Sequence, residues 1–268
     1  MSIINKLIFG RYLPGNSFIH RMDPRAKLLL SFYFVLVVFI ANNWLGYLFL
    51  TLVTLGCISL SKVKLSVFIN GLKPLFVLIL ITIIMQLFFT SGGHVYWQWG
   101  ILALTSSGIT ASILITIRFI LIIFMSTLLT LTTTPMAIAD AMTSLLRPLA
   151  IFNLPIDEIG LMLSIALRMV PTLADEATQV MEAQRARGID FNNGNLFKRA
   201  KAMVSLLIPM FVDSFNQATN LATAMEARGY QSNQPRTHYH QLHWHKSDTI
   251  AIIVMLLMIP ILLITRSF

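Results

Sequence analysis

The stretch from Phe76 to Phe89 contains no charged residue. It is one of five long apolar runs, and these constrain the chain more than any other feature. The hydrocarbon core of a bilayer takes about 20 residues of helix to cross. Inside it, every backbone N–H and C=O must be satisfied by the protein itself. The runs predict five membrane-spanning helices, at about 24–41, 44–60, 74–89, 108–131 and 249–265. Asp23-Pro24 opens the first, because Asp is a favoured N-cap and Pro fits the first helical position. Arg25 and Lys27, just inside it, are placed to snorkel towards water. Asn42-Asn43 turns the chain into the second span, and Pro260 marks a kink in the last. Hydrophobic residues make up 56% of the chain and charged ones 12%, against about 25% charged in a soluble domain. Neither a soluble globule nor disorder fits that balance.

The charges that remain are mostly basic: 20 Lys and Arg against 11 Asp and Glu. Such an excess suits a nucleic-acid surface or a cytoplasmic membrane face, and position decides between them. Lys6, Arg11, Arg21, Arg25 and Lys27 precede or open the first span, and no cation separates it from the second. Lys62, Lys64 and Lys73 lie between the second and third. The next connection has none and carries Tyr96, Trp97 and Trp99, an interfacial aromatic set. Half of the 20 cations lie in residues 132–246. By the positive-inside rule the N-terminus and 132–246 are cytoplasmic and the C-terminus is outside. The expected organisation is all-α and polytopic: 1–131 with four spans, 132–246 as a cytoplasmic domain, and 247–268 as the final transmembrane helix. The lipid bilayer is then the partner that the basic charge serves, with no nucleic acid. The first 21 residues lack the apolar core and cleavage site of a removed signal peptide. Cys57, the single cysteine, sits in an apolar run and serves as a small apolar residue.

Residues 132–246 are too polar to span. Thr132-Thr133-Thr134 before Pro135 caps a helix at the membrane exit, and a short amphipathic segment follows to Arg147-Pro148. Two long helices are then expected, at about 156–187 with Pro171 inside and about 196–228 with Pro209 inside. Both end alike, at Ala186-Arg187-Gly188 and Ala227-Arg228-Gly229, and Ala177-Thr178 matches Ala218-Thr219 at the same offset. This is a weak internal duplication with a sharper shared terminus. Gly is favoured just past a helix C-terminus. Ala183 on one helix and Ala218, Ala222 and Ala224 on the other would allow close helix crossing. One Arg at a helix end is ordinary dipole complementarity. Two, on matched tips, offer two projecting guanidinium groups, each able to enter a groove and grip a carboxylate in bidentate fashion.

The absences are as pointed. No carboxylate lies inside the five spans, whereas an ion-coupled carrier places an ionisable group there. There is no phosphate-binding G-x-x-x-x-G-K-[ST], no H-E-x-x-H and no G-x-S-x-G. A non-catalytic subunit that transmits force or scaffolds others fits better than an enzyme, with a stand-alone secondary carrier or channel as the alternative. Arg118 is costly within a span unless paired. It either bonds carbonyls and hydroxyls inside the bundle or faces a partner protein. Arg168, near Pro171, orients a bent helix or touches a partner. The run His238 to His245 holds four histidines that could ligate a metal, but Tyr239 and Trp244 within it favour an interfacial anchor, with no metal site.

Ser17-Phe18-Ile19-His20-Arg21-Met22-Asp23-Pro24-Arg25-Ala26-Lys27, Arg118 with Thr132-Thr133-Thr134-Pro135, Ala166-Leu167-Arg168-Met169-Val170-Pro171 and the two Ala-Arg-Gly ends occur in that order. In this the chain resembles the transmembrane coupling component of energy-coupling factor transporters, the bacterial ABC-type importers of vitamins and metal ions. Its length and N-terminal stretch are most like the module shared by several vitamin-binding partners. Met22 and Ala26 stand where members often have Leu and Thr or Ser. The resemblance implies two ABC-type ATPase subunits that bind ATP and Mg, so that this chain needs no cofactor of its own. It also implies a separate, exchangeable membrane protein, the S component, that binds the substrate. Residues 132–246 would supply long crossing amphipathic coupling helices, with Arg187 and Arg228 each docking in one ATPase.

Overall fold

The computed structural model describes residues 12–99, 102–152, 154–191, 195–231, 242–260 and 262. Apart from one hairpin it is helical. It divides into two compact units, residues 1–142 with 242–268, and residues 143–241.

In the first unit, helix starts follow local capping chemistry. Ser17 caps the single-turn α1 (Phe18–Arg21), its Oγ accepting from the His20 N–H at 3.3 Å. Asp23 caps α2 (Pro24–Ile40): Oδ1 accepts from the Arg25 N–H at 2.8 Å, and Pro24 starts the helix. α3 (Trp44–Ser61) ends at Lys62, which takes the left-handed conformation at φ 56°. The next apolar run is longer than expected. α4 (Leu65–Leu72), a 3-10 turn at Lys73–Leu75 and α5 (Phe76–Phe89) follow without a break. Pro74 has no N–H to donate, and the chain tightens there instead of stopping. The candidate span therefore covers Leu65–Phe89 and does not begin at Pro74.

Beyond α5, β1 (Val95–Trp99) and β2 (Leu102–Thr105) pair as an antiparallel hairpin, irregular between Val95 and Trp97. Thr105 closes it and caps α6 (Ser106–Thr132), its Oγ accepting from the Gly108 N–H at 3.0 Å. α6 is the axis of this unit, with α2, α3, α4 and α5 all packed on it. Phe34 of α2, Leu50 of α3, Phe68 of α4 and Leu121 of α6 fill the centre. α7 (Pro135–Leu146) follows, and α10 (Lys246–Leu256) returns to pack on α2. α10 ends at Leu256, whose carbonyl has no N–H to accept from at Pro260, and after a turn at Leu257 the chain is helical again at 258–260.

Three described segments are long and apolar enough to cross a membrane: Trp44–Ser61, Leu65–Phe89 and Ser106–Thr132. α2 at 17 residues and α10 at 11 are shorter, and residues 263–265 of the expected last span lie outside the described residues. α5 exposes Phe76, Val77, Leu80, Ile81, Ile84 and Met85, an apolar surface whose natural solvent is hydrocarbon. Among lipid tails there is no hydrophobic drive between helices, so α5 and α6 associate through close packing of small residues. A Cβ on Gly108 would lie 2.9 Å from the Leu87 carbonyl oxygen. One turn on, the Ser112 hydroxyl reaches the carbonyls of Gly108 at 2.7 Å and Ile83 at 3.5 Å.

The second unit is built on α8 (Ile156–Ala186) and α9 (Leu196–Ala227), joined to α7 by a 3-10 segment at Arg147–Phe152. Pro171 and Pro209 lie inside these helices without ending them.

Gly108→Leu should push α5 away from α6 and cost about 1–3 kcal/mol. The check is a lower thermal-unfolding midpoint of the purified chain in detergent, and an unchanged midpoint would contradict the close contact.

Candidate functional site

Both long helices end in the same hydrogen-bonded motif. At the end of α8 the Gly188 N–H donates to the Arg185 carbonyl at 2.9 Å and the Ile189 N–H to Gln184 at 3.1 Å. At the end of α9 the Gly229 N–H donates to Glu226 at 2.9 Å and the Tyr230 N–H to Met225 at 3.0 Å. These are complete Schellman closures. They need the left-handed backbone seen at Gly188 (φ 88°) and Gly229 (φ 75°). A Cβ would meet nothing at either position, so the requirement is conformational and not steric crowding. Ala186 and Ala227 are the last helical residues, and Arg187 and Arg228 are the caps. Both arginines are exposed, and neither guanidinium has a hydrogen bond or ion pair among the described residues. Arg185, two residues earlier on the first tip, is instead folded over the Phe191 ring at 5.9 Å.

The crossing does not run through the expected alanines. Ala183, Ala218, Ala222 and Ala224 are all exposed. Instead Ala202 and Leu206 of α9, with Phe191, form the buried contact, packed by Val180 and Met181 of α8 and Met210 of α9. At one edge the Gln217 amide bonds the Glu176 carboxylate. At the other the Gln184 Nε2 donates to the Ser205 carbonyl at 3.2 Å. The partners advance along α8 as they retreat along α9, so the helices meet antiparallel. Glu176 and Gln217 are 41 residues apart, the same offset that relates Arg187 to Arg228. Each tip is therefore eleven residues past a member of this edge pair, about 16 Å of helix, and because the helices are antiparallel the two tips extend in opposite directions. Arg168 and Pro171 lie further back on α8, and both are exposed.

A second cluster lies in the other unit, where the N-terminal motif, the end of α6 and the start of α10 converge. Lys27 is 7% exposed, Asp23 2% and Asp248 0%. Lys27 does not snorkel. Its Nζ donates to the carbonyls of His20 at 3.2 Å and Thr132 at 3.1 Å, because inward carbonyls are nearer than water. Asp248 Oδ1 accepts from the Asp23 N–H at 3.2 Å, and its Oδ2 accepts from the His245 N–H at 2.8 Å in a capping box. The Asp23 Oδ2, Arg25 Nε and Thr133 Oγ1 atoms are buried without partners. Asp248 was legible only as a span boundary. Its position three residues past His245, where a capping carboxylate sits, is the local signal for its role. The partnership with Asp23 has no such signal.

Arg118 is held inside its unit. Nε donates to the Tyr47 hydroxyl at 2.9 Å and Nη2 to the Ala41 carbonyl at 3.5 Å, and the guanidinium lies over the rings of Phe39 at 5.3 Å and Tyr47 at 5.9 Å. Pro135 begins α7, where the Thr134 hydroxyl accepts from the Ala137 N–H at 3.2 Å. Among the described residues no three His, Cys, Asp or Glu side chains converge as metal ligands. His238 and His240 lie outside the described residues. Trp244 Nε1 donates to the Thr249 hydroxyl at 2.8 Å, which ties it to the start of α10.

Comparison with known proteins bears on these sites. The family model described as CbiQ, cobalt transport protein, matches residues 15–239. A protein of Lacticaseibacillus paracasei named energy-coupling factor transporter transmembrane protein EcfT is 52% identical over 264 residues, 98% of this chain and 100% of that protein. One of Listeria monocytogenes serotype 1/2a, named energy-coupling factor transporter transmembrane protein EcfT 1, is 50% identical over 265 residues, 99% of this chain and all of that protein. One of Lactococcus lactis subsp. cremoris, also named EcfT, is 47% identical over 261 residues, covering 97% of this chain and 98% of that protein.

Asp248→Ala should strand the buried Asp23 N–H and leave the Lys27 ammonium without one of its two carboxylate neighbours. Breaking a buried charged cluster costs about 3–5 kcal/mol. The expected result is a large fall in thermal stability in detergent. Combining it with Lys27→Met should destabilise less than the sum of the two single changes.

Proposed function

The chain belongs to the energy-coupling factor transporter transmembrane protein family, and on that premise we propose that it couples two ATPase subunits to a substrate-binding membrane protein. The observation that carries this reading is the pair of matched tips. Two Schellman-capped helix ends, on opposite arms of one antiparallel crossing, each project an exposed guanidinium with no internal partner. An Arg left unpaired at a rigid tip can dock in a carboxylate-lined groove at little conformational cost. Two tips suit two similar partners.

In this reading residues 132–246 and the N-terminus face the cytoplasm, and the C-terminus is outside, as the distribution of Lys and Arg requires. ATP and Mg are bound and hydrolysed by the partner subunits, and this chain contributes no catalytic residue. The substrate, a vitamin or related micronutrient, is held by the S component and not by this chain. The interior of the first unit supports that division of labour. Arg118, in the middle of α6, is bonded to Tyr47 and Ala41, and the buried Lys27 and Asp248 are bonded to backbone groups, so these charges are already engaged within the chain. Closure of the ATPases on ATP would move the tips and, through the crossing, the membrane partner.

Arg187→Ala and Arg228→Ala should each weaken ATPase docking by about 2 kcal/mol or more, about 30-fold in affinity. The double variant should abolish uptake by the reconstituted complex while the isolated chain keeps its thermal midpoint. Normal uptake by the double variant would overturn the proposal. Solute transport by this chain alone in liposomes would favour a stand-alone carrier.

A further inference from the structure

The first unit contains an apolar cavity of about 220 Å³ among α1, α2, α3, α6 and α10. Its wall is hydrocarbon, with Leu30, Val53, Cys57, Met125 and Met258 among the lining side chains. The Lys27 stem forms part of the wall, but its ammonium is turned away onto the carbonyls of His20 and Thr132. An apolar cavity of about 150 Å³ stays dry and takes up benzene, so this larger space admits hydrocarbon and not water.

The opening shows where an occupant enters. Phe18, Leu60 and Val254 line the cavity and are also exposed, so it opens between the C-terminal end of α3 and the middle of α10. Towards the other end of those helices the gap is shut: a Cβ on Gly46 would lie 3.1 Å from Leu262 Cδ2. The start of α3 thus meets the chain six residues past α10, while the end of α3 parts from α10. The parted end carries exposed cations from three elements: Arg21 at the end of α1, Lys62 at the cap of α3 and Lys246 at the start of α10. The nearby carboxylates of Asp23 and Asp248 are buried and turned inward. Among the described residues the rim therefore presents these three cations, with Asp23 and Asp248 turned away from it.

We propose that one acyl chain of an anionic phospholipid occupies this cavity, with its phosphate at the rim of Arg21, Lys62 and Lys246. The lipid comes from the leaflet on the side of those three cations. That leaflet is the cytoplasmic one under the orientation proposed above, which is the only point where this inference rests on that reading. The tail lies against Ile19, Met22 and the Lys27 stem, so it braces the place where the N-terminal motif meets the last helix.

The test uses the full-length chain in nanodiscs containing phosphatidylglycerol with a photoactivatable diazirine on its acyl chain, and in parallel the phosphatidylcholine analogue. Irradiation and peptide mass spectrometry should place adducts on Val53, Cys57, Met125 and Met258. Three cations near the headgroup should favour the anionic lipid about tenfold or more. Cys57→Trp fills the cavity and should remove those adducts while labelling of the exposed Leu80 and Ile81 on α5 persists, which shows that the variant is folded and embedded. Changing Arg21, Lys62 and Lys246 together to Gln should remove the preference for phosphatidylglycerol. Adducts confined to outer surfaces such as α5, cavity adducts unchanged by Cys57→Trp, or equal labelling by both lipids would overturn the proposal. The readout is a covalent lipid adduct on the chain alone, so loss of ATPase docking would leave it unchanged, and its failure would leave the coupling reading intact.

Discussion

An unpaired charge near hydrocarbon is expensive, and the arrangement of this chain follows from how each charge is resolved. Lys27 is satisfied by two backbone carbonyls contributed by α1 and the end of α6. Asp248 accepts from the backbone at the start of α2 and from its own helix start. Arg118 is held by the Tyr47 hydroxyl and the Ala41 carbonyl. Each solution ties together segments far apart in sequence: 105 residues for Lys27 with Thr132 and 225 for Asp23 with Asp248. The same interactions that make the charges tolerable also fix the order in which the helices pack. Against that background the guanidinium groups of Arg187 and Arg228 stand out, because nothing among the described residues resolves them. A group left unpaired on a rigid element is available to a partner.

The long helices were legible in the sequence because their punctuation is local. Gly188 and Gly229 end α8 and α9 where a left-handed residue is required, and the expected ranges agree with the structure to within a residue. The continuation of α4 into α5 was not legible. Pro74 signals a helix start, but a 3-10 turn absorbs it without ending the apolar rod. The hairpin at 95–105 was hidden for another reason. Five residues of alternation in β1 are too few to distinguish a strand from an aromatic interfacial loop.

The sites divide in the same way. The tips are sequence-local features, and their geometry agrees with what the motif dictates. The crossing and the buried cluster are not local. Alanine permits close approach, but it does not draw two helices together. The larger apolar residues Val180, Met181, Leu206 and Met210 lie on the faces that meet, and they take the contact away from Ala183, Ala218, Ala222 and Ala224. Lys27 was expected to snorkel because it lies just inside the start of the first span. What buries it is a pair of carbonyls and two carboxylate neighbours that no local pattern displays.

The duplication gains a mechanical meaning from the crossing. The 41-residue offset relates both the tips and the edge pair Glu176 and Gln217, so each tip lies eleven residues past one hydrogen-bonded partner of that pair. The contact between the arms is short, with Phe191, Ala202 and Leu206 as its buried centre among the described residues. Helices that touch along so short a strip can change their crossing angle through side-chain rearrangement, as in a shear movement, without either one unfolding. A change in that angle carries the α9 tip, which lies far past the buried centre, further than the α8 tip, which lies just past the Gln184 contact. In the proposed assembly both ATPases would act on that one angle, each through its own arginine. A single tip would follow one subunit, whereas two tips on one crossing respond to the separation of both. That is a physical reason for the chain to carry the same Ala-Arg-Gly ending twice.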